Sequence, residues 1–185
     1  MANNSHLRVF VFIDGSNLFG SIRDLNVRTG QRIKVAYEKL FQYLAGDREL
    51  RRVYFYHSLP PEHISPEVYK QQIDFVYAVR QRTNEVAVNF KVRQAYQQSR
   101  GDYLIEKGTD VKLATDLLSL AYNDAYDVGV LVSGDADFIE VVEEVQRLGK
   151  VVENAVFRQN SSPALRDTCD RFIFLDEKVD NFLLV

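Results

Sequence analysis

VFVFIDGSNLFG, Val9 to Gly20, opens as a run of β-branched and aromatic residues and changes at Asp14 into a carboxylate, a glycine, a hydroxyl and an amide. An apolar run from Leu7 to Ile13 without alternation is the mark of a strand covered on both faces. It predicts a central strand. In parallel sheets ligands gather outside the carboxyl ends of the strands, where this polar tetrad falls.

Working outward, the same pattern recurs. Ala36 to Leu44 carries Leu40, Phe41 and Leu44 at helical spacing and is ended by Gly46. Arg52 to Ser58 reads as a second strand. After Pro60, Pro61 and Pro66, the residues Tyr69, Ile73, Val76, Tyr77 and Arg80 mark a long helix. Val86 to Tyr96 returns to period two, and a helix is predicted from Val111 to Tyr122 with Ala114, Leu117, Leu118 and Ala121 on its apolar side. Val128 to Val132 is another bare strand. A helix over Phe138 to Leu148, a strand from Val151 to Phe157, a short helix begun at Ser162-Pro163 and an edge strand from Phe172 to Leu175 complete the pattern. Alternating strands and helices predict an α/β fold of three layers, α/β/α, around a mostly parallel central sheet.

With 185 residues and no linker-like tract, the chain is expected to form one domain, with its core over about 7 to 176 and short tails. The formal net charge of -3 gives no general attraction to a polyanion, so cations for a nucleic acid must come from local clusters. Cys169 is the one cysteine, which excludes an internal disulfide and a multi-cysteine zinc site. No signal peptide and no membrane-length apolar run is visible, and a cytoplasmic, soluble protein without membrane partners is expected.

Four aspartates fall in three segments: Asp14 in IDGSN, Asp110 in KGTDVKLATD, and Asp135 with Asp137 in SGDADF. Clustered carboxylates repel one another and lose hydration, so they need compensation. A divalent cation held by oxygen ligands, Mg²⁺ or Mn²⁺, is the simplest form of it. Capping offers a competing role: Asp14 can cap a helix, Asp110 can be an N-cap, and Asp137 with Glu140 has capping-box spacing. That leaves Asp135 over. Asp116 points about 240° away from Asp110 on a helix begun at Val111. It is expected as a solvated residue or as the partner of Lys112, and joins Ser133 and Ser162 in a second tier of site candidates. Gly15 and Gly134 are expected to allow sharp turns or the approach of a phosphate. The Asn17 amide can brace a carboxylate or close its own turn.

IDGSN, KGTDVKLATD and VLVSGDADF, in this order, resemble the NYN domain, in the LabA-like branch of the PIN-like nuclease superfamily. The resemblance runs from about Val9 to Leu175. It implies a PIN-like fold and a metal-dependent ribonuclease site in which Asp14, Asp110, Asp135 and Asp137 hold metal and Asn17 accompanies them. An endoribonuclease leaving a 5′-phosphate is the implied activity.

Substrate cations are expected in the tract from Phe90 to Lys112, at Lys91, Arg93, Arg100, Lys107 and Lys112, interleaved with Tyr96 and Tyr103. Arg158, after the strand that ends at Phe157, lies at the expected ligand edge. Ser162 opens a helix N-terminus and is also an ordinary cap. Two other functions compete. One is a noncatalytic regulator that binds RNA or protein through the same fold. The other is a phosphatase of the haloacid dehalogenase type, which needs an acid two residues after its nucleophile, where Ser16 stands. The number of metals, RNA against DNA and a homodimer stay open.

Overall fold

Val9, Val11 and Ile13 pack into one apolar core while Phe10 and Phe12 enter another, so the strand that carries them, β1 (Arg8–Asp14), is buried on both faces. The structure, a computed structural model, describes residues 6–82, 87–94, 96–97, 104–105, 108–177 and 182–184. After β1 come α1 (Gly15–Thr29), β2 (Lys34–Val35), α2 (Tyr37–Ala45), β3 (Glu49–Leu59), α3 (Pro66–Arg82), β4 (Ala87–Gln94), β5 (Tyr96–Gln97) and β6 (Leu104–Ile105). Then follow α4 (Thr109–Tyr122), β7 (Val128–Val132), a 3-10 turn (Ala136–Phe138), α5 (Ile139–Arg147), β8 (Val151–Val156), a second 3-10 turn (Arg158–Asn160), α6 (Pro163–Thr168), β9 (Arg171–Phe174) and β10 (Leu183–Leu184).

Six strands form the main sheet in the order β4-β3-β1-β7-β8-β9, and every neighbouring pair runs parallel. β1 lies at the centre and β9 at the edge, as their sequences predict. Two short pairs, β10 with β2 and β5 with β6, have no counterpart in the sequence expectations. The core on one face takes Leu18 and Leu25 of α1, Leu40, Phe41 and Leu44 of α2 and Val79 of α3; the other takes Leu113 and Leu117 of α4, Val142 and Val145 of α5 and Leu165 of α6. This is the three-layer α/β/α arrangement. Each such side chain taken out of water contributes about 1.5–3 kcal/mol. Among the described residues, no helix is long and apolar enough to cross a membrane.

Two expectations need correction. The residues after Asp14 form a helix of 15 residues, α1, which is absent from the expected elements although the capping role weighed for Asp14 presupposes a helix there. Leu18, Ile22 and Leu25 do repeat at helical spacing, but Gly15 and Gly20 interrupt the pattern and lower its helical propensity. Helix α4 is also rotated from its expected phase. Its buried residues are Thr109, Leu113, Asp116, Leu117 and Ala121, and Leu118 is 36% exposed. Leu113 and Leu118 are equally apolar, so composition alone could not fix which of them faces the sheet.

Candidate active site

Because β1 and β7 are parallel neighbours with Ile13 opposite Val132, Asp14 and Ser133 emerge side by side at the carboxyl edge. Asp14 is the N-cap of α1 and is only 5% exposed. A buried carboxylate must be compensated. Its Oδ1 accepts the Asn17 backbone N–H at 3.0 Å, its Oδ2 accepts the Ser133 hydroxyl at 2.9 Å, and the positive end of the helix lies against it. Ser133 in turn accepts the backbone N–H of Asp135 at 3.2 Å. One hydroxyl thus joins the two acidic turns.

Asn17 braces Asp14 through its backbone. Gly15 and Gly134 have no positive φ; their small size serves close packing. A Cβ at Gly15 would stand 2.6 Å from the Tyr56 carbonyl oxygen, and one at Gly134 would stand 1.6 Å from the carbonyl oxygen of Asn160. What comes close to both glycines on the would-be Cβ side is the protein's own backbone, so close packing explains them without a left-handed turn.

Asp135 is half-buried and caps the 3-10 turn, its Oδ1 accepting the Asp137 backbone N–H at 3.0 Å. The expected assignment is therefore reversed: Asp135 is the cap, and the exposed Asp137 is the acid that capping leaves over. Asp110 lies exposed in the first turn of α4, behind Gly108, and is not the N-cap. That helix also starts at the carboxyl edge, where the Thr109 and Ser58 hydroxyls stand 3.5 Å apart. Since β3, β1 and β7 are consecutive in the sheet, the three acidic segments begin side by side.

Asp116 contradicts the expectation of a solvated residue. It is 9% exposed and accepts the Tyr56 hydroxyl at 2.9 Å, while the Lys112 ammonium pairs with its other oxygen. The rotated phase of α4 brings it there, and the expected bond to Lys112 is present. Tyr56 is in register with Asp14 on the adjacent strand. Burial raises the Tyr56 phenol well above its ordinary range, and the Asp116 charge adds to the shift.

The expected substrate cations divide. Lys112 is committed to Asp116. Arg158 is exposed but pairs with Glu177 and lies 3.9 Å over the Phe174 ring, drawn to the β9 side by these partners. Lys91 and Arg93 are in register with Tyr56 and Ser58, and their side chains lie outside the description; Lys107 lies outside the described residues, as do Arg100 and Tyr103. Ser162 is a cap, its hydroxyl accepting the Leu165 N–H at 3.3 Å on a helix of six residues.

Sequence reasoning missed two asparagines. Asn154, 1% exposed on β8, donates to the carbonyls of Leu131 at 3.2 Å and Ser133 at 2.8 Å, holding the end of β7. Asn160 donates to the Ser21 hydroxyl at 2.6 Å, and Ser21 donates to the Asn17 carbonyl at 2.9 Å. The only signal was the polar pair Glu153-Asn154 inside the apolar run of β8. Glu153 explains itself by a forked ion pair with Arg48, both bonds 2.8 Å.

Among the described residues, no three His, Cys, Asp or Glu side chains form a ready group that could hold a metal ion. Asp14, Asp110, Asp135 and Asp137 offer carboxylate oxygens, which suit Mg²⁺ or Mn²⁺, and Mg²⁺ is commonly held by one or two carboxylates together with water and substrate phosphate. The residues fit such a cation by their chemistry.

No curated protein matches the chain. The crystal structure of a protein of unknown function from Vibrio parahaemolyticus is similar over 100% of both chains, at 25% identity and a TM-score of 0.70. The family model described as the NYN domain matches residues 8–176, a span that holds the whole main sheet and Asp14, Asp110, Asp135 and Asp137. The chain belongs to the NYN domain family, which points to the PIN-like nuclease superfamily.

Proposed function

We propose that the protein is a metal-dependent endoribonuclease of the LabA-like kind, working as one domain in the cytoplasm. The observation that carries the reading is the bonded unit of Asp14, Ser133 and Asp135 at the carboxyl edge of adjacent strands. Such a unit supports a site in which two carboxylates keep fixed positions against their mutual repulsion.

Asp14 and Asp135 would hold Mg²⁺ or Mn²⁺, with Asp110 and Asp137 as the further acids of the same edge. The ion, when bound, polarises water and neutralises charge on the phosphoryl oxygens. Ser133, the Asn17 backbone and Asn154 orient the carboxylates, as outer partners of ligands do. Asn17 is counted with the acids as a site residue. Lys91, Arg93 and Lys107 are the cations proposed to meet the RNA backbone.

The test is cleavage of single-stranded RNA by the purified chain with Mg²⁺ or Mn²⁺. Turnover should be lost on chelation and in Asp14→Asn and Asp135→Asn. Equal activity in the variants would assign the cleavage to a contaminant. RNA binding that survives chelation, without turnover, would move the chain to the noncatalytic reading.

A further inference from the structure

We propose that the outer edge of the sheet, along β9, is a stacking platform for single-stranded RNA that leaves the acidic site on this side; the choice of RNA rests on the ribonuclease reading. Phe172 on this edge strand is 52% exposed, and its ring lies 5.2 Å from that of Phe174. The Arg166 guanidinium stands over both rings, at 5.5 Å from Phe172 and 5.3 Å from Phe174. A face of aromatic rings beside arginine is what single strands use: bases stack on the rings, and the cation meets phosphate.

The charges separate RNA from an apolar partner. Arg158 has its own carboxylate in Glu177, but no ion pair holds Arg166 among the described residues, and its Nε is buried without a hydrogen bond. Among the described residues its guanidinium thus has aromatic rings and no carboxylate within 4 Å, beside an exposed ring. Arg171, the other cation of the strand, is paired with Glu153 at 3.6 Å and alternates to the opposite face, so Arg166 is the cation of this platform. A hydrophobic peptide or a second copy of the chain laid on this edge would bury the Arg166 charge without an acid, which is costly.

The platform is also tied to the site. The Ser162 N–H donates to the Gly134 carbonyl at 3.2 Å, and Gly134 is the neighbour of Asp135. Arg166 follows Ser162 by one turn of α6, a rise of about 6 Å. A strand cut near Asp135 thus meets Arg166 and the exposed Phe172 ring within a short reach, while Phe174, under Arg158, backs that ring.

The test uses a fluorescein-labelled 12-nucleotide oligouridine and the full chain, with EDTA present, read by fluorescence anisotropy. Phe172→Ala should weaken binding by about 10-fold, within the range for loss of one stacked base. Phe172→Trp should retain binding, which guards against a folding defect. Arg166→Gln should weaken it and lower the slope of log Kd against log salt by about 0.7. Wild-type affinity in both Phe172→Ala and Arg166→Gln would overturn the platform, as would failure of the oligouridine to bind the wild-type chain. A change in oligomer mass with unchanged RNA binding would overturn it too, giving the edge to a second copy. The two readings fail separately. Binding that depends on Phe172 without any cleavage removes the ribonuclease reading alone, and cleavage with wild-type binding in Phe172→Ala removes the platform alone.

Discussion

Ser133 donates its hydroxyl to Asp14 Oδ2 at 2.9 Å, tying the end of β7 to the end of β1 across 119 residues of sequence. Both residues are buried, at 1% and 5% exposure, so water cannot replace the bond. Ser133→Ala should therefore cost about 1–3 kcal/mol, the penalty for a buried charged acceptor left without its donor. Ser162→Ala, which removes only a cap, should cost about 1 kcal/mol. Urea unfolding of the two variants checks the order, and Ser133→Ala should also lower RNA cleavage by about 10-fold as the loss of an outer partner.

Two glycines should respond in opposite directions. A Cβ at Gly134 meets the Asn160 carbonyl oxygen at 1.6 Å, so Gly134→Ala forces the loops apart and should destabilise by about 1–3 kcal/mol. Gly20 sits inside α1 with nothing within 4 Å of its would-be Cβ, and Gly20→Ala should stabilise by about 0.4–1 kcal/mol. Thermal unfolding of the pair measures both signs.

At the opposite, amino edge of the sheet, Arg8 donates two side-chain hydrogen bonds to Asp127, at 2.7 and 3.0 Å. These bonds hold the Asp127 carboxyl down to about 2, below its ordinary value of 3.8. A carboxyl lowered by folding contributes stability above its unfolded pKa and loses it as pH falls through the folded one. Asp127→Asn should thus be less stable than the wild type at pH 7, by about 1 kcal/mol after solvent screening. The gap should close between about pH 4 and pH 2 in urea titrations.

Burial raises the Cys169 thiol to about 12, with the Asp170 charge as a smaller cause. Since the thiolate is the reacting form, the native chain should resist thiol reagents at pH 8 and react fully when unfolded. Rapid labelling of the native chain would contradict the burial of Cys169.

The sheet was legible because its strands are continuous apolar runs, a pattern that short-range sequence carries. Asp14 and Asp135 were legible for the same reason, since each follows such a run by a few residues. The phase of α4 was not, because Leu118 offers the same apolar surface as Leu113, and only packing against β3 decides between them. The burial of Asp116 was hidden with it, although its pairing with Lys112, four residues away, was legible. The roles of Asn154 and Asn160 depend on contacts such as that between Asn160 and Ser21, 139 residues apart, which no local pattern contains. Asp135 and Asp137 exchanged capping roles because a 3-10 turn, Ala136–Phe138, precedes α5 and moves the cap two residues back, from Asp137 to Asp135.

The rotated phase of α4 has its own consequence. Asp116→Ala would leave the Tyr56 hydroxyl and the Lys112 ammonium without their shared partner, a loss of about 1–3 kcal/mol. Adding Tyr56→Phe to that background should cost less than Tyr56→Phe alone, because the two groups share one bond. A double-mutant cycle in urea gives the coupling directly, and additive losses would contradict the bond.

The most direct test of the proposed site is a crystal of the full chain soaked in millimolar Mn²⁺ and measured for anomalous scattering. The account predicts a peak beside the carboxylates of Asp14 and Asp135, absent from Asp14→Asn. A well-ordered edge with no peak there, or a peak unaffected by Asp14→Asn, would contradict it.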